Sequence, residues 1–154
     1  MHSCADFGES AADRGDILTA ARSTCAVLIT AAPDDALQIA REIALERGLA
    51  DRLRVCDFGQ EPSPRVAKLI EALPEARILF LREVQDLTPV QQSVLMELME
   101  DGVTSTGMRI IASSSVCLFE YVMRGAFDAR LFYRLNAIHV VASEARSAQA
   151  TAVM

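Results

Sequence analysis

The sequence predicts an α/β fold: a five-stranded parallel sheet with helices on both faces. Two observations predict it. Short apolar runs alternate with helical stretches five times along the 154 residues. Within each run the apolar residues are consecutive, as in strands buried on both faces, rather than alternating with polar ones.

Residues 1 to about 14 are small and polar and are expected to be loose. Asp16 to Ser23 reads as a short helix. Ala26 to Thr30 is the first strand, ending at the turn-forming AAPDD. Asp34 or Asp35 is placed to cap the next helix. Ala36, Ile39, Ala40, Ile43 and Ala44 share one face of it, and Gly48 ends it. Leu53 to Phe58 is the second strand. A helix opens at Glu61 to Pro64, carries Val66, Leu69, Ile70 and Leu73 at helical spacing, and stops at Pro74. Ile78 to Leu81 is the third strand. Thr88-Pro89 opens another helix, with Gln91 completing a capping box. Its apolar face is Val94, Leu95, Leu98 and Met99, and it ends at Gly102. Arg109 to Ala112 is the fourth strand, followed by Ser113, Ser114 and Ser115, which read as helix caps. Val116 to Arg124 and Ala126 to Leu135 are two helices hinged at Gly125, and Ala137 to Val141 is the fifth strand. The expected organisation is a loose segment (1–14), one folded domain (15–142) and a flexible tail (143–154).

Composition excludes several classes. Hydrophobic residues make up 51% of the chain, too many for a disordered protein. A net charge of −6 with no basic cluster argues against direct DNA binding and against a membrane surface. No apolar run approaches the roughly 20 residues of a membrane span, and the N-terminus has no signal-peptide pattern. Cys4, Cys25, Cys56 and Cys117 form no CxxC pair, so no metal site is expected. Cys25 and Cys56 read as reduced core residues, which implies the cytoplasm. His139 lies in a strand and reads as structural; His2 lies in the loose segment. Phe119, Tyr121, Phe127, Phe132 and Tyr133 are spaced as helix-packing residues rather than a base-stacking platform.

In parallel α/β sheets, ligands bind beyond the C-terminal ends of the strands. A phosphate loop after the first strand needs glycines, a lysine and a helix N-terminus. The segment here is Ala31-Ala32-Pro33-Asp34-Asp35-Ala36, with no glycine and no lysine. Pro33 removes a backbone donor, and two carboxylates would repel phosphate. The single lysine, Lys68, lies in another helix. After the third strand, nucleotide hydrolysis needs an Asp for magnesium and a Glu for water. Arg82-Glu83 stands there, so the glutamate is kept and a cation replaces the metal-side acid. Neither ATP nor magnesium is expected as a cofactor, and no enzymatic activity is expected.

Ile78 to Gly102 (ILFLREVQDLTPVQQSVLMELMEDG) and Arg109 to Val141 resemble the second half of the AAA+ domain of bacterial sigma-54-dependent, enhancer-binding transcription activators. ILFLREVQDL is similar to that family's Walker B segment, and RIIASSS to its sensor I strand, where Ser114 aligns. GAFDARLFYRLNAIHV is similar to its arginine-finger segment. More weakly, AVLIT and IAREIA resemble the Walker A strand and helix. The resemblance spans roughly residues 16 to 146 and implies an AAA+ core. The departures imply a degenerate one. The sigma-54-contacting GAFTGA loop is missing between Phe58 and Ile78. Arg134 matches the second finger arginine, whereas Asp128 occupies the place of the first. The helical lid and the DNA-binding domain are also expected to be absent, since the sequence stops.

Several residues carry two readings. Glu83 is a leftover catalytic glutamate or a solvated residue pairing with Arg82; the second is favoured. Arg134 reaches a neighbour's nucleotide or bonds carbonyls at its own helix end, and Arg130 adds charge one turn earlier. The favoured function is a non-hydrolysing regulatory domain that contacts a protein partner, either an AAA+ activator or a second copy of itself. The alternative is a weak nucleotide binder without turnover. A receiver-like phosphoacceptor fits Asp34 and Asp35, but Arg82 and the lack of a nearby lysine oppose it.

Overall fold

The structure, a computed structural model, describes residues 12–57, 77–101 and 109–142. In chain order its elements are α1 (Arg14–Arg22), β1 (Val27–Thr30), α2 (Pro33–Glu46), β2 (Leu53–Asp57), β3 (Ile78–Arg82), α3 (Pro89–Asp101), β4 (Arg109–Ser114), α4 (Leu118–Met123), α5 (Ala129–Leu135) and β5 (Ile138–Val141). The expected helix over residues 61–73 lies outside the described residues, as do the first eleven residues and the tail from residue 143.

All five strands are parallel and form one sheet in the order β2-β3-β4-β1-β5. The expected five-stranded parallel architecture is therefore present. Register places Leu28 beside Ala112 and His139, and Leu79 beside Ile110. Because side chains alternate across a strand, each strand feeds two cores. On one face Leu28, Leu79, Leu81, Ile110 and Ala112 pack with Leu95 and Met99 of α3, Leu118 of α4, and Leu131 and Leu135 of α5. On the other, Val27, Ile29, Ile78, Phe80 and Ile111 pack with Ile17 of α1 and Ile39 and Ile43 of α2. Each of these larger side chains contributes roughly 1.5–3 kcal/mol by leaving water.

Local chemistry sets the element ends. Helix α1 starts at Arg14, earlier than expected, because the Asp13 carboxylate accepts from the Asp16 N–H at 3.3 Å. Ala12 is buried against the α1–α2 core, so residues 12–14 belong to the fold rather than to a loose segment. Neither Asp34 nor Asp35 caps α2. Ala32 is its N-cap, with no side-chain bond, and Pro33 takes the first helical position. The two carboxylates instead lie in the first turn, where they complement the helix dipole. At the other end Gly48 adopts φ +75°, and the Leu49 N–H reaches the Ala44 carbonyl at 2.8 Å, closing a Schellman motif. Thr88 and Gln91 form the expected reciprocal capping box: each backbone N–H donates to the other's side chain, at 2.9 and 3.2 Å.

Cys25 is not a core residue. It precedes β1, outside the apolar layers, and its side chain faces solvent; Cys56 is only partly buried. Among the described residues no helix is long and apolar enough to cross a membrane. Phe119 and Tyr133 also depart from the packing reading, with 44% and 66% of their surface exposed.

His139 sits on the edge strand β5, with Nε2 2.7 Å from the Thr30 hydroxyl. Loss of hydration where the ring meets the protein lowers its pKa below the usual 6.5. The folded state therefore favours the neutral ring. The unfolded chain takes up the proton first as pH falls, so stability from this group is complete above about pH 6.5 and declines below it. Chemical denaturation of the wild type between pH 7.5 and pH 5 should show this decline, and His139→Gln should flatten part of it.

Candidate functional site

The C-terminal ends of β1, β3 and β4, three neighbouring parallel strands, lie at the same end of the sheet. β1 passes into α2 through only Ala31 and Ala32. The Ala31 N–H donates to the Ser114 carbonyl at 3.1 Å, extending the pairing between β1 and β4 by one residue. Residues 33–36, expected as part of a loop, are the first turn of α2. Pro33 has no N–H, and the Ala36 N–H is used by the Ala32 carbonyl at 2.9 Å. Ala31 is buried, Asp34 is exposed and Asp35 is partly covered.

At the end of β3, Glu83 adopts a left-handed backbone, φ 57° and ψ 54°. For a residue with a Cβ this costs on the order of 1–2 kcal/mol. Its carboxylate does not pair with Arg82. Oε2 instead accepts from Gln85 Nε2 at 2.8 Å and from the Ser115 hydroxyl at 2.9 Å. The Glu83 N–H points to Ser113 Oγ at 3.4 Å. Glu83 Oε1, Gln85 Oε1 and Arg82 Nε are all buried without a hydrogen-bond partner. The serines do not cap a helix. Ser113 and Ser114 lengthen β4, and Ser114 Oγ both donates to the Val116 carbonyl (2.7 Å) and accepts its N–H (3.2 Å). The N-cap of α4 is Cys117, without a side-chain bond. The reason is competition: Ser115 is held by Glu83, and Ser114 is spent on the turn.

Helices α4 and α5 carry the remaining candidates. Asp128 is the N-cap of α5, its Oδ1 accepting from the N–H groups of Arg130 (2.8 Å) and Leu131 (3.2 Å). Arg130 lies 3.9 Å from the Asp128 carboxylate and Arg134 lies 3.6 Å from Glu100 of α3. Both pairs are exposed, so each is worth at most about 1 kcal/mol. Phe132 stacks edge-on against Tyr133 at 5.3 Å and tilts against Phe119 at 5.7 Å. Phe119 and Met123 of α4 and Tyr133 of α5 are exposed, Met123 at 71%, and so are Arg124, Arg130 and Arg134. Among the described residues no bond joins Arg130 or Arg134 to the Glu83 cluster.

Gln92 was not singled out by sequence. It is 5% exposed, donates to the carbonyls of Leu87 (3.0 Å) and Ala126 (3.2 Å), and accepts the Asp128 N–H (2.8 Å). It thereby fixes the start of α5 to the start of α3. The only sequence signal is a second glutamine just after the capping-box residue. Gln92→Leu would leave three backbone groups unsatisfied and should lower unfolding free energy by about 3 kcal/mol. Asp128→Ala should cost about 1 kcal/mol, the usual value of a cap. Urea titrations of the two variants check the order.

Three comparisons bear on this geometry. The sequence profile of the family described as "Sigma-54 interaction domain" matches residues 19–143. The HTH-type transcriptional regulatory protein TyrR of Enterobacter agglomerans is 32% identical over 69 residues, covering 39% of this chain and 13% of that protein. NtrX from Brucella abortus, solved in complex with ATP, superposes with TM-score 0.72 at 24% identity, over 84% of this chain and 35% of NtrX. The P-loop NTPase domain of the sigma-54 transport activator from E. coli superposes with TM-score 0.69 at 18% identity, over 90% of this chain and 98% of that one. The chain thus spans a small part of TyrR and about a third of NtrX, and the structural matches establish the AAA+ P-loop NTPase fold. With the profile matching most of its length, the chain belongs to the sigma-54 interaction domain family.

Proposed function

We propose that this chain is a non-hydrolysing sigma-54-interaction-type domain that acts in the regulation of bacterial transcription through protein contact. Its family membership and its likeness to TyrR support the regulatory role. The single observation that carries the rest is the contrast between two surfaces. At the strand ends, a two-residue connection, Pro33 and a pair of carboxylates replace the glycines and lysine that hold phosphate. The residues present therefore do not fit a magnesium nucleotide. The α4–α5 segment, by contrast, carries two exposed aromatics and three exposed arginines, a composition typical of protein-binding patches.

The partner in this reading is an AAA+ transcription activator or another copy of the chain. Arg134 and Tyr133 are the contact residues, with Phe119 and Met123 as the apolar ground around them. The exposed Arg134–Glu100 ion pair is weak, so exchanging Glu100 for a partner's carboxylate costs little.

Mixing the purified chain with activators from the same cell should change their ATPase rate or their assembly state. The double variant Tyr133→Ser, Arg134→Glu, which alters only exposed positions, should weaken the effect at least about tenfold while leaving the circular dichroism spectrum unchanged. If neither rate nor assembly responds to the wild-type chain, the contact reading fails.

A further inference from the structure

The opposite end of the sheet, where the strands begin, carries a second unusual cluster. Arg109 opens β4 and is 5% exposed. Its Nε donates to the Cys25 carbonyl at 2.9 Å, while both terminal nitrogens are buried without a hydrogen-bond partner. Burial, and then repulsion by Arg47, lower its pKa to about 10, with the nearby Cys25 acting in the opposite direction. The guanidinium stays charged at neutral pH, and among the described residues it has no ion-pair partner. Arg47, just past α2, donates Nη1 to the carbonyls of Ala21 (2.8 Å) and Ser23 (3.2 Å). The Cys25 N–H is fixed by Ser23 Oγ at 2.9 Å. Arg22 in the last turn of α1 adds an exposed charge, while Glu46, the neighbouring carboxylate, is held by Arg14. An exposed thiol thus lies next to the buried, unpaired Arg109, two residues from a carbonyl held by Arg47 and three residues after Arg22, on a chain whose net charge is −6.

We infer that Cys25 is a thiol–disulfide exchange site selective for anionic low-molecular-weight disulfides. The Cys25 thiol gives its proton to solvent, and its sulfur attacks one sulfur of the reagent. A new S–S bond forms as the old one breaks, and the other half of the reagent departs as a thiolate. The reagent is the oxidant, so no further electron acceptor is needed. Selectivity comes from the field of Arg109, Arg47 and Arg22, which concentrates carboxylate-bearing reagents at this one place on an acidic molecule. Cys117, partly buried and beyond β4 at the other end of the sheet, serves as the internal reference.

The test uses the full reduced chain with three disulfides: glutathione disulfide (anionic), hydroxyethyl disulfide (neutral) and cystamine (cationic). Mass spectrometry of the Cys25 and Cys117 peptides gives the rate of adduct formation at each site. At low salt, Cys25 should react about tenfold faster with glutathione disulfide than with cystamine, against the trend set by net charge. That preference should disappear in 1 M salt, where the screening length is about 3 Å. It should also shrink in Arg47→Gln, a change at an exposed side chain. A cationic reagent that matches or outpaces the anionic one at Cys25, or a preference insensitive to salt, overturns the inference.

Discussion

Strand β1 turns into helix α2 within two residues, and the top of the sheet is organised around that turn. Ala31 stays bonded to Ser114, Ala32 becomes the helix N-cap, and Pro33 fixes the first helical φ. The sheet pairing therefore continues to the point where the helix begins, and no backbone arch rises between them. The acids Asp34 and Asp35 then serve the helix as favourable first-turn charges. A phosphate-binding loop needs the reverse arrangement, with backbone donors turned outward ahead of the helix.

Beside that turn, the chain's own polar side chains bond one another. Glu83 is held by Gln85 and Ser115, Ser113 faces its N–H, and Ser114 closes on Val116. The left-handed backbone at Glu83 and three buried unpaired atoms make this the most strained region among those described. Further along, Gln92 ties α3 to α5 and Asp128 caps α5, so the helix carrying Arg130 and Arg134 is fixed by hydrogen bonds at its start. The aromatic surface it presents with α4 rests on Phe132, which is buried and touches the rings of both Phe119 and Tyr133.

The five strands, the α2 face and the capping box at Thr88 were legible because each rests on local signals: consecutive apolar residues, a 3.6-residue period, or a Thr-x-x-Gln spacing. Strand order was not legible from periodicity, since it depends on crossovers between distant segments. The misread residues share a cause. The apolar neighbours of Cys25 point to the core, yet it lies two residues before the strand begins, where alternation no longer applies. A serine run directly after a strand reads as a helix cap, whereas a distant partner, Glu83, captures Ser115. Gln92 gave no periodic signal because its bonds reach Ala126 and Asp128, more than thirty residues away. The identity of the missing groups at the strand ends, by contrast, is a plain statement of sequence.

Titration calorimetry of the full chain with magnesium-ATP tests most directly the proposal that the strand ends hold no nucleotide and the domain acts by contact. No heat of binding is expected up to millimolar nucleotide. Clear micromolar binding would contradict the protein-contact reading, because it would require the α2 N-terminus, Pro33 and its two carboxylates included, to hold phosphate.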